Sequence, residues 1–167
     1  MAEIPNQDVT YKIIGAAMRV HNELGPGLKE AIYHRALSAA LREAGLSSEE
    51  EKPVRVELDG EFAGLLYLDE FVENEVVVEI KALSHLLTNE ETAQIITYLA
   101  VTESKVGLLL NFGRQRLEYK RVLPPVKFAD WRQRVRRYLW QPPQAAEQSV
   151  AHPFIRSLSV DYQGASR

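Results

Sequence analysis

The run Val76-Val77-Val78-Glu79-Ile80-Lys81 restricts the fold more than any other segment. It is apolar enough to form the central strand of a sheet, so two charges near its end are unexpected. Residues two apart on a strand leave the same face, which puts Glu79 and Lys81 together and turns Val78 and Ile80 the other way, into the core.

The rest of the chain supplies partners for such a strand. Val9, Ile13, Ala17, Val20 and Leu24 recur at helical spacing, predicting a helix over 8–24 with Asp8 as its cap. Gly25-Pro26-Gly27 breaks the chain, and a second helix is expected over 28–44 with Gly45 as a left-handed C-terminal stop. The period then changes to two. Val54, Val56 and Leu58 alternate with Arg55 and Glu57, Asp59-Gly60 is a hairpin signal, and a second strand runs from Phe62 to Phe71 or Val72. Glu73-Asn74-Glu75 turns the chain into the central strand. Thr88 and Glu91 have capping-box spacing for a helix over 89–102, and strands follow over 106–112 and 117–122. The helix between the third and fourth strands is a crossover, which allows part of the sheet to be parallel.

Composition narrows the class. A chain of 167 residues is the size of one domain with a real core, and with no cysteine it has neither disulfides nor thiolate metal sites. The N-terminus lacks the basic start and apolar stretch of a secretory signal, and no segment approaches the roughly 18 apolar residues of a membrane span. The expectation is a soluble cytoplasmic protein with no membrane partner. Charge is unevenly spread: residues 43–91 hold 14 acidic and 3 basic side chains, residues 101–140 hold 10 basic and 3 acidic. The second stretch offers a polyanion a positive rim, or is simply solubilising surface.

Pro124-Pro125 marks a boundary between a domain over 8–123 and a C-terminal region over 124–167. Residues 126–140 read as a basic amphipathic helix, with Arg132, Arg134, Arg136 and Arg137 set among Phe128, Trp131, Val135, Leu139 and Trp140, followed by a polar tail. Such a helix suits nucleic-acid backbone contact and base stacking, or a terminal helix whose tryptophans cover the sheet.

Asp69 lies ten residues before Glu79, near the end of the preceding strand, and the turn at 73–75 can bring the two carboxylates side by side. Carboxylates so placed repel unless a cation joins them or one keeps its proton. Hard oxygen ligands suit Mg2+ or Mn2+, and an ion there would activate water and neutralise charge on a phosphoryl group. Lys81 would orient or help deprotonate that water and hold the scissile phosphate. The same spacing also fits an ordinary surface ion pair at a strand end.

Five segments, in order, give the pattern a second meaning. Gly27-Leu28-Lys29-Glu30-Ala31-Ile32-Tyr33 spells GxxExxY. Asp69-Glu70-Phe71-Val72-Glu73 is an acidic strand end, and Val78-Glu79-Ile80-Lys81-Ala82 contains E-x-K. Gln94 with Tyr98-Leu99 lies on the crossover helix, and Gly107-Leu108-Leu109-Leu110-Asn111-Phe112-Gly113 follows it. Over residues 10–123 the chain resembles the PD-(D/E)XK nuclease superfamily and, within it, the family named for the GxxExxY motif. The resemblance implies a restriction-endonuclease-like α/β core, a central mixed sheet flanked by helices. It implies Mg2+ or Mn2+ held by Asp69, Glu79, Glu30 and the backbone oxygen of Ile80, an essential-type Lys81, and Gln94 lining the site.

Two departures stand out. Leu68 occupies the place of the superfamily's proline. Glu70 is a second acid where the family carries an aliphatic residue, and it either lies exposed on the opposite strand face or competes as a ligand. Glu30 has a simpler alternative as a solvent-facing acid paired with His34 one turn along. Tyr33 is expected to pack its helix on the sheet. Tyr98 shares a helix face with Gln94 and fits the core, the rim or a nucleic-acid contact; His85 fits a phosphate contact near the cleft. The histidines have no zinc-site spacing.

The expected activity is metal-dependent phosphodiester hydrolysis in nucleic acid, with DNA the favoured substrate. The alternative is a nuclease-like domain that binds nucleic acid or protein with little or no cleavage. Action as a homo-oligomer, or inside a repair or defence assembly, is compatible with either.

Overall fold

The computed structural model describes residues 5–124. Arg132, Arg134, Arg136, Arg137 and both tryptophans lie outside the described residues.

Helix α1 spans Gln7–Leu24 and α2 spans Glu30–Glu43. Strands β1 (Ser48–Leu58), β2 (Glu61–Val72) and β3 (Val76–Lys81) follow, then α3 (Asn89–Thr102), β4 (Val106–Asn111) and β5 (Glu118–Val122). The five strands lie side by side in sequence order. Only β3 and β4 pair in parallel, because α3 carries the chain back between them; the other neighbours are antiparallel. This is the mixed α/β sheet flanked by helices that the sequence predicts.

The alternation of β3 and β4 feeds two cores. Val76, Val78, Ile80, Leu108 and Leu110 pack with Ile13, Ala17, Tyr33, Leu37 and Leu41 of α1 and α2. On the other face Val77 and Leu109 meet Ile95, Tyr98 and Leu99 of α3, with Leu66 and Leu68 of β2. Burying a Leu or Ile side chain stabilises by about 1.5–3 kcal/mol. A charged residue within this double-faced core is therefore costly, and Glu79 is only 2% exposed.

Several local expectations hold. The capping box at Thr88 and Glu91 is complete, with Thr88 Oγ1 accepting from Glu90 N–H at 3.2 Å and Glu91 Oε2 accepting from Thr88 N–H at 2.7 Å. Asp59 and Gly60 both take positive φ, 52° and 82°, joining Leu58 to Glu61 by a two-residue turn. Gly45, at φ 75°, ends α2, where Leu46 N–H donates to Leu41 O at 3.0 Å.

Three local expectations differ. Asp8 is in the first turn of α1 rather than at its cap, which is Asn6 in a left-handed conformation. α2 begins at Glu30, not 28, because residues 25–29 form the turn that aims it. β1 starts at Ser48, six residues before the alternating pattern. The acidic run Glu49-Glu50-Glu51 conceals a strand that needs only one partner, since β1 is the sheet's edge.

β2 rolls over at Asp69. Leu66 and Leu68 pack on the α3 side, yet Val72, of the same parity, packs on the α1/α2 side. At this point the β1–β2 pairing skips from Lys52↔Leu68 to Glu50↔Glu70, and the intervening Glu51 has a positive φ of 47°.

Candidate active site

The roll in β2 decides where its acids go. The β2–β3 ladder ends at Glu70↔Val78, so Asp69 stands at the place where the strands part. Its side chain continues the interaction that the backbone gives up: Asp69 Oδ2 accepts from Ile80 N–H at 2.7 Å. Asp69 is thereby tied to the residue between Glu79 and Lys81.

Glu70 goes the other way and is fully buried. Both expectations for it, exposure or ligand competition, are corrected. Its carboxylate accepts hydrogen bonds from Ser38 of α2 and Ser48 of β1, and His34 Nε2 lies 3.8 Å from Oε1. Those two serines are what allow this second acid to be buried behind the site. Burial still pushes the Glu70 carboxyl above its usual value, against the pull of the serine hydroxyls and His34.

Glu79 is the centre of the arrangement. Its Oε1 accepts from Lys81 Nζ at 2.8 Å and from Gln94 Nε2 at 2.6 Å. Its Oε2 is buried and has no hydrogen-bond partner among the described residues. The surface ion-pair reading fails here, because Glu79 is enclosed by β3 and α3 rather than exposed. Gln94 Nε2 also lies 2.9 Å from the Tyr98 hydroxyl, so the i, i+4 pair on α3 forms the site's wall.

Glu30 approaches from the first turn of α2, where Oε2 accepts from Ala82 N–H at 3.2 Å. The GxxExxY segment explains this placement. The Tyr33 hydroxyl donates to Gly25 O at 2.6 Å and accepts from Leu28 N–H at 3.1 Å. Gly25 and Gly27 take φ of 67° and 96°, conformations that disfavour a side chain. The Tyr33 ring stacks on Phe112 at 4.8 Å. Tyrosine thus closes the loop on itself and anchors the helix that presents Glu30. The expected Glu30–His34 pairing is replaced: His34 Nε2 sits 2.7 Å from the backbone oxygen of Asp69.

Charge accumulates where water is scarce. Burial, reinforced by the neighbouring charge of Asp69, raises the Glu79 carboxyl to about 8. Burial also raises Asp69, against the Ile80 N–H, Lys81 and His34, which favour its charged form. Burial alone would depress Lys81, but Glu79, Glu30 and Asp69 outweigh it and hold the ammonium above its usual value. Lys81 is therefore a persistent cation, better suited to holding a phosphate than to removing a proton. Burial, then Glu79, pushes the Tyr98 hydroxyl up, so it stays protonated.

These residues fit a hard divalent cation in chemistry: an unpartnered, buried carboxylate oxygen beside further acids is what a cation would relieve. The geometry is not that of a finished cage. Among the described residues no group of three or more acidic or histidine side chains stands ready to hold a metal, since Asp69 and Glu30 each turn an oxygen to a backbone N–H. His85 lies on the exposed loop after β3, its Nδ1 2.9 Å from the backbone oxygen of Leu86.

The sequence reading missed Asn111. It is fully buried, pairs in register with Lys81, and accepts at Oδ1 from Leu83 N–H at 2.9 Å and Gly113 N–H at 3.1 Å. Its signal was available: a polar residue ending an apolar strand, like Glu79.

A sheet with α1 and α2 on one face and α3 on the other, carrying Asp69 on β2 beside Glu79 and Lys81 at the end of β3, defines a nuclease-type core. The family model of the PD-(D/E)XK nuclease superfamily matches residues 7–122, which covers every described helix and strand. The chain belongs to that superfamily. Its members are usually nucleases and generally use divalent metal ions. The crystal structure of SSO0001 is similar, with 17% identity and a TM-score of 0.47 over 77% of this chain and 67% of that one. No curated protein matches the chain. No helix among the described residues is long and apolar enough to cross a membrane.

Proposed function

We propose that this chain is a Mg2+- or Mn2+-dependent nuclease of the GxxExxY type that hydrolyses phosphodiester bonds in DNA. The observation that carries the reading is the buried Glu79 Oε2, unpartnered and flanked by Asp69 and Glu30. Asp69, Glu79 and Glu30 would hold the ion with the backbone oxygen of Ile80. When bound, it supplies positive charge and Lewis-acid activation for attack by water on a phosphoryl group.

The chain's own groups do the remaining work. Lys81 Nζ, held at Glu79 Oε1, presents a fixed positive charge to the scissile phosphate. Gln94 fixes the same Glu79 oxygen, leaving the other to face the site. Tyr98 supports Gln94, and the apolar flanks Val77, Leu109 and Ile95 exclude water and strengthen each charge interaction.

A second reading, nucleic-acid or protein binding with weak or no cleavage, is favoured by one observation: Glu30 is engaged with Ala82 N–H rather than turned to Glu79. The deciding experiment tests wild type, K81A and E79A with Mg2+ or Mn2+ on single- and double-stranded DNA and RNA. Metal-dependent cleavage lost in both variants supports the nuclease. Saturable metal binding without cleavage of any substrate sinks it in favour of the binding domain.

A further inference from the structure

A groove of about 640 Å3 lies beyond the ends of β3 and β4, outside the carboxylate site. Ser84 and Leu86 of the loop that leaves Lys81 line one side; Arg114, Gln115 and Arg116 of the β4–β5 turn line the other. Arg116 and Gln115 are exposed and Arg114 is half-buried. Three other surface arginines are paired, Arg19 with Glu43, Arg42 with Glu50 and Arg55 with Glu57, whereas Arg35 on α2 is exposed without such a partner among the described residues. Arg114 and Arg116 have no side-chain hydrogen bond or ion pair among the described residues. The carboxylate that lines the groove, Glu118, is already engaged. Its oxygens accept from Leu87 N–H at 3.1 Å and from Asn111 Nδ2 at 3.2 Å.

The turn bearing these arginines is fastened to the active-site strand with unusual care. A Cβ on Gly113 would stand 2.4 Å from Leu83 O and 2.5 Å from Ala82 C, so backbone meets backbone here. Asn111 bridges the two segments, accepting from Leu83 and Gly113 N–H and donating to His85 O at 3.0 Å. His21 Nε2 meets Arg114 O at 2.8 Å from the α1 side. A fully buried asparagine is costly unless all its bonds are made, and here it serves to hold a surface turn against the residues immediately following Lys81. Two unpaired guanidiniums on a turn held against the residues that follow Lys81 offer charge-assisted hydrogen bonds to the phosphates of a nucleic-acid backbone.

We infer that the groove between the Ser84–Leu86 loop and the β4–β5 turn is the path of the nucleic-acid strand outside the cleavage site, with Arg114 and Arg116 contacting its phosphates. The inference rests on the nuclease reading and assigns the residues that hold the substrate beside it.

The test is fluorescence anisotropy of labelled single-stranded and duplex DNA and RNA with the full chain, in EDTA so that no cleavage occurs, at several salt concentrations. The variants are R114Q/R116Q, the exposed single change R116Q, and R19Q/R42Q as a charge-matched control. Losing two phosphate contacts should shallow the slope of log K against log salt by about 1.4 on a single strand and about 1.8 on duplex DNA. R116Q should lose about half of that, and the control should stay within about twofold of wild type. Unchanged affinity and slope in R114Q/R116Q, while wild type binds and cleaves with metal added, overturns the groove and leaves the nuclease reading standing. Wild type that neither binds nor cleaves overturns both. If the double variant loses binding to polyglutamate but not to nucleic acid, the groove receives an acidic protein and the assignment is wrong. Because R116Q changes an exposed side chain, a misfolded double variant does not rescue the proposal from a wild-type result in the single one.

Discussion

His34 Nε2 lies 2.7 Å from the backbone oxygen of Asp69 and 3.8 Å from the carboxylate of Glu70. A carbonyl only accepts, so this nitrogen carries the proton. The bond joins α2, which presents Glu30, to the point where β2 rolls over and presents Asp69. Removing a group that orients a metal ligand typically costs 10–100-fold in metal affinity or activity. H34A should therefore weaken Mg2+ binding, measured by calorimetry, by about tenfold, with H34Q recovering part of the loss. Wild-type affinity in H34A would show that Asp69 needs no such support.

Glu79 makes stability depend on pH when metal is absent. Its carboxyl is raised from 4.5 to about 8, so the folded protein holds a proton there that the unfolded chain releases. Stability is then greatest below about pH 4.5, as far as this group is concerned, and falls as pH rises towards 8, by at most about 1.4 kcal/mol per pH unit. Asp69, also raised, acts in the same direction. E79Q cannot release a proton. In urea titrations with EDTA between pH 5 and 8, the variant should lose less stability than wild type over that interval. Parallel curves would refute the assignment of the buried proton to Glu79.

Tyr33 tests why the Gly27–Tyr33 segment has the form it has. Its ring fills the core against Phe112 while its hydroxyl ties Gly25 O and Leu28 N–H. Y33F keeps the packing and loses the loop closure, leaving a backbone donor and acceptor short of a partner; a cost of about 1–3 kcal/mol follows. Y33A also empties the core and should cost about 3–5 kcal/mol. If the loop's purpose is to aim Glu30, Y33F will lose more metal affinity than its modest thermal shift suggests. Equal metal affinity in Y33F and wild type would reduce the motif to a packing device.

What the sequence made legible follows from how local each signal is. Val76–Lys81 announced a central strand because its apolar run needs no partner to be read, and Thr88 with Glu91 marked a helix start within four residues. The parity of Glu79 and Lys81 gave their shared face directly. Glu70 could not be read, because its burial depends on Ser38 and Ser48, 32 and 22 residues away, and on a roll in β2 opposite Glu51, whose φ is positive. Asn111 was quoted inside an apolar segment, but its role needs the parallel register with Lys81, which only the α3 crossover creates. A polar residue ending an apolar strand is visible in a linear pattern, but the bonds across the fold that give it a purpose are not.

Gly107 on β4 and Gly113 just beyond its end separate two kinds of crowding. A Cβ on Gly107 would meet the side chain of Ile95 at 2.6 Å and Leu99 at 3.3 Å, and Ile95 can rotate or shift on α3. G107A should cost about 1–3 kcal/mol, the usual range for overpacking a core. A Cβ on Gly113 would instead meet Leu83 O at 2.4 Å and two backbone carbons within 2.6 Å. No rotamer relieves that contact, so the 82–83 segment must move, and with it the bond from Ala82 N–H to Glu30 and the one from Leu83 N–H to Asn111. G113A should therefore destabilise more than G107A, by more than about 3 kcal/mol, at the upper end of what overpacking does. It should also lower metal affinity, whereas G107A, distant from the carboxylates' backbone partners, should melt earlier but bind metal as wild type does. Thermal melts and Mg2+ titrations on the two variants decide the matter, and a G113A protein as stable as G107A would mean that the turn is not rigidly joined to the active-site strand.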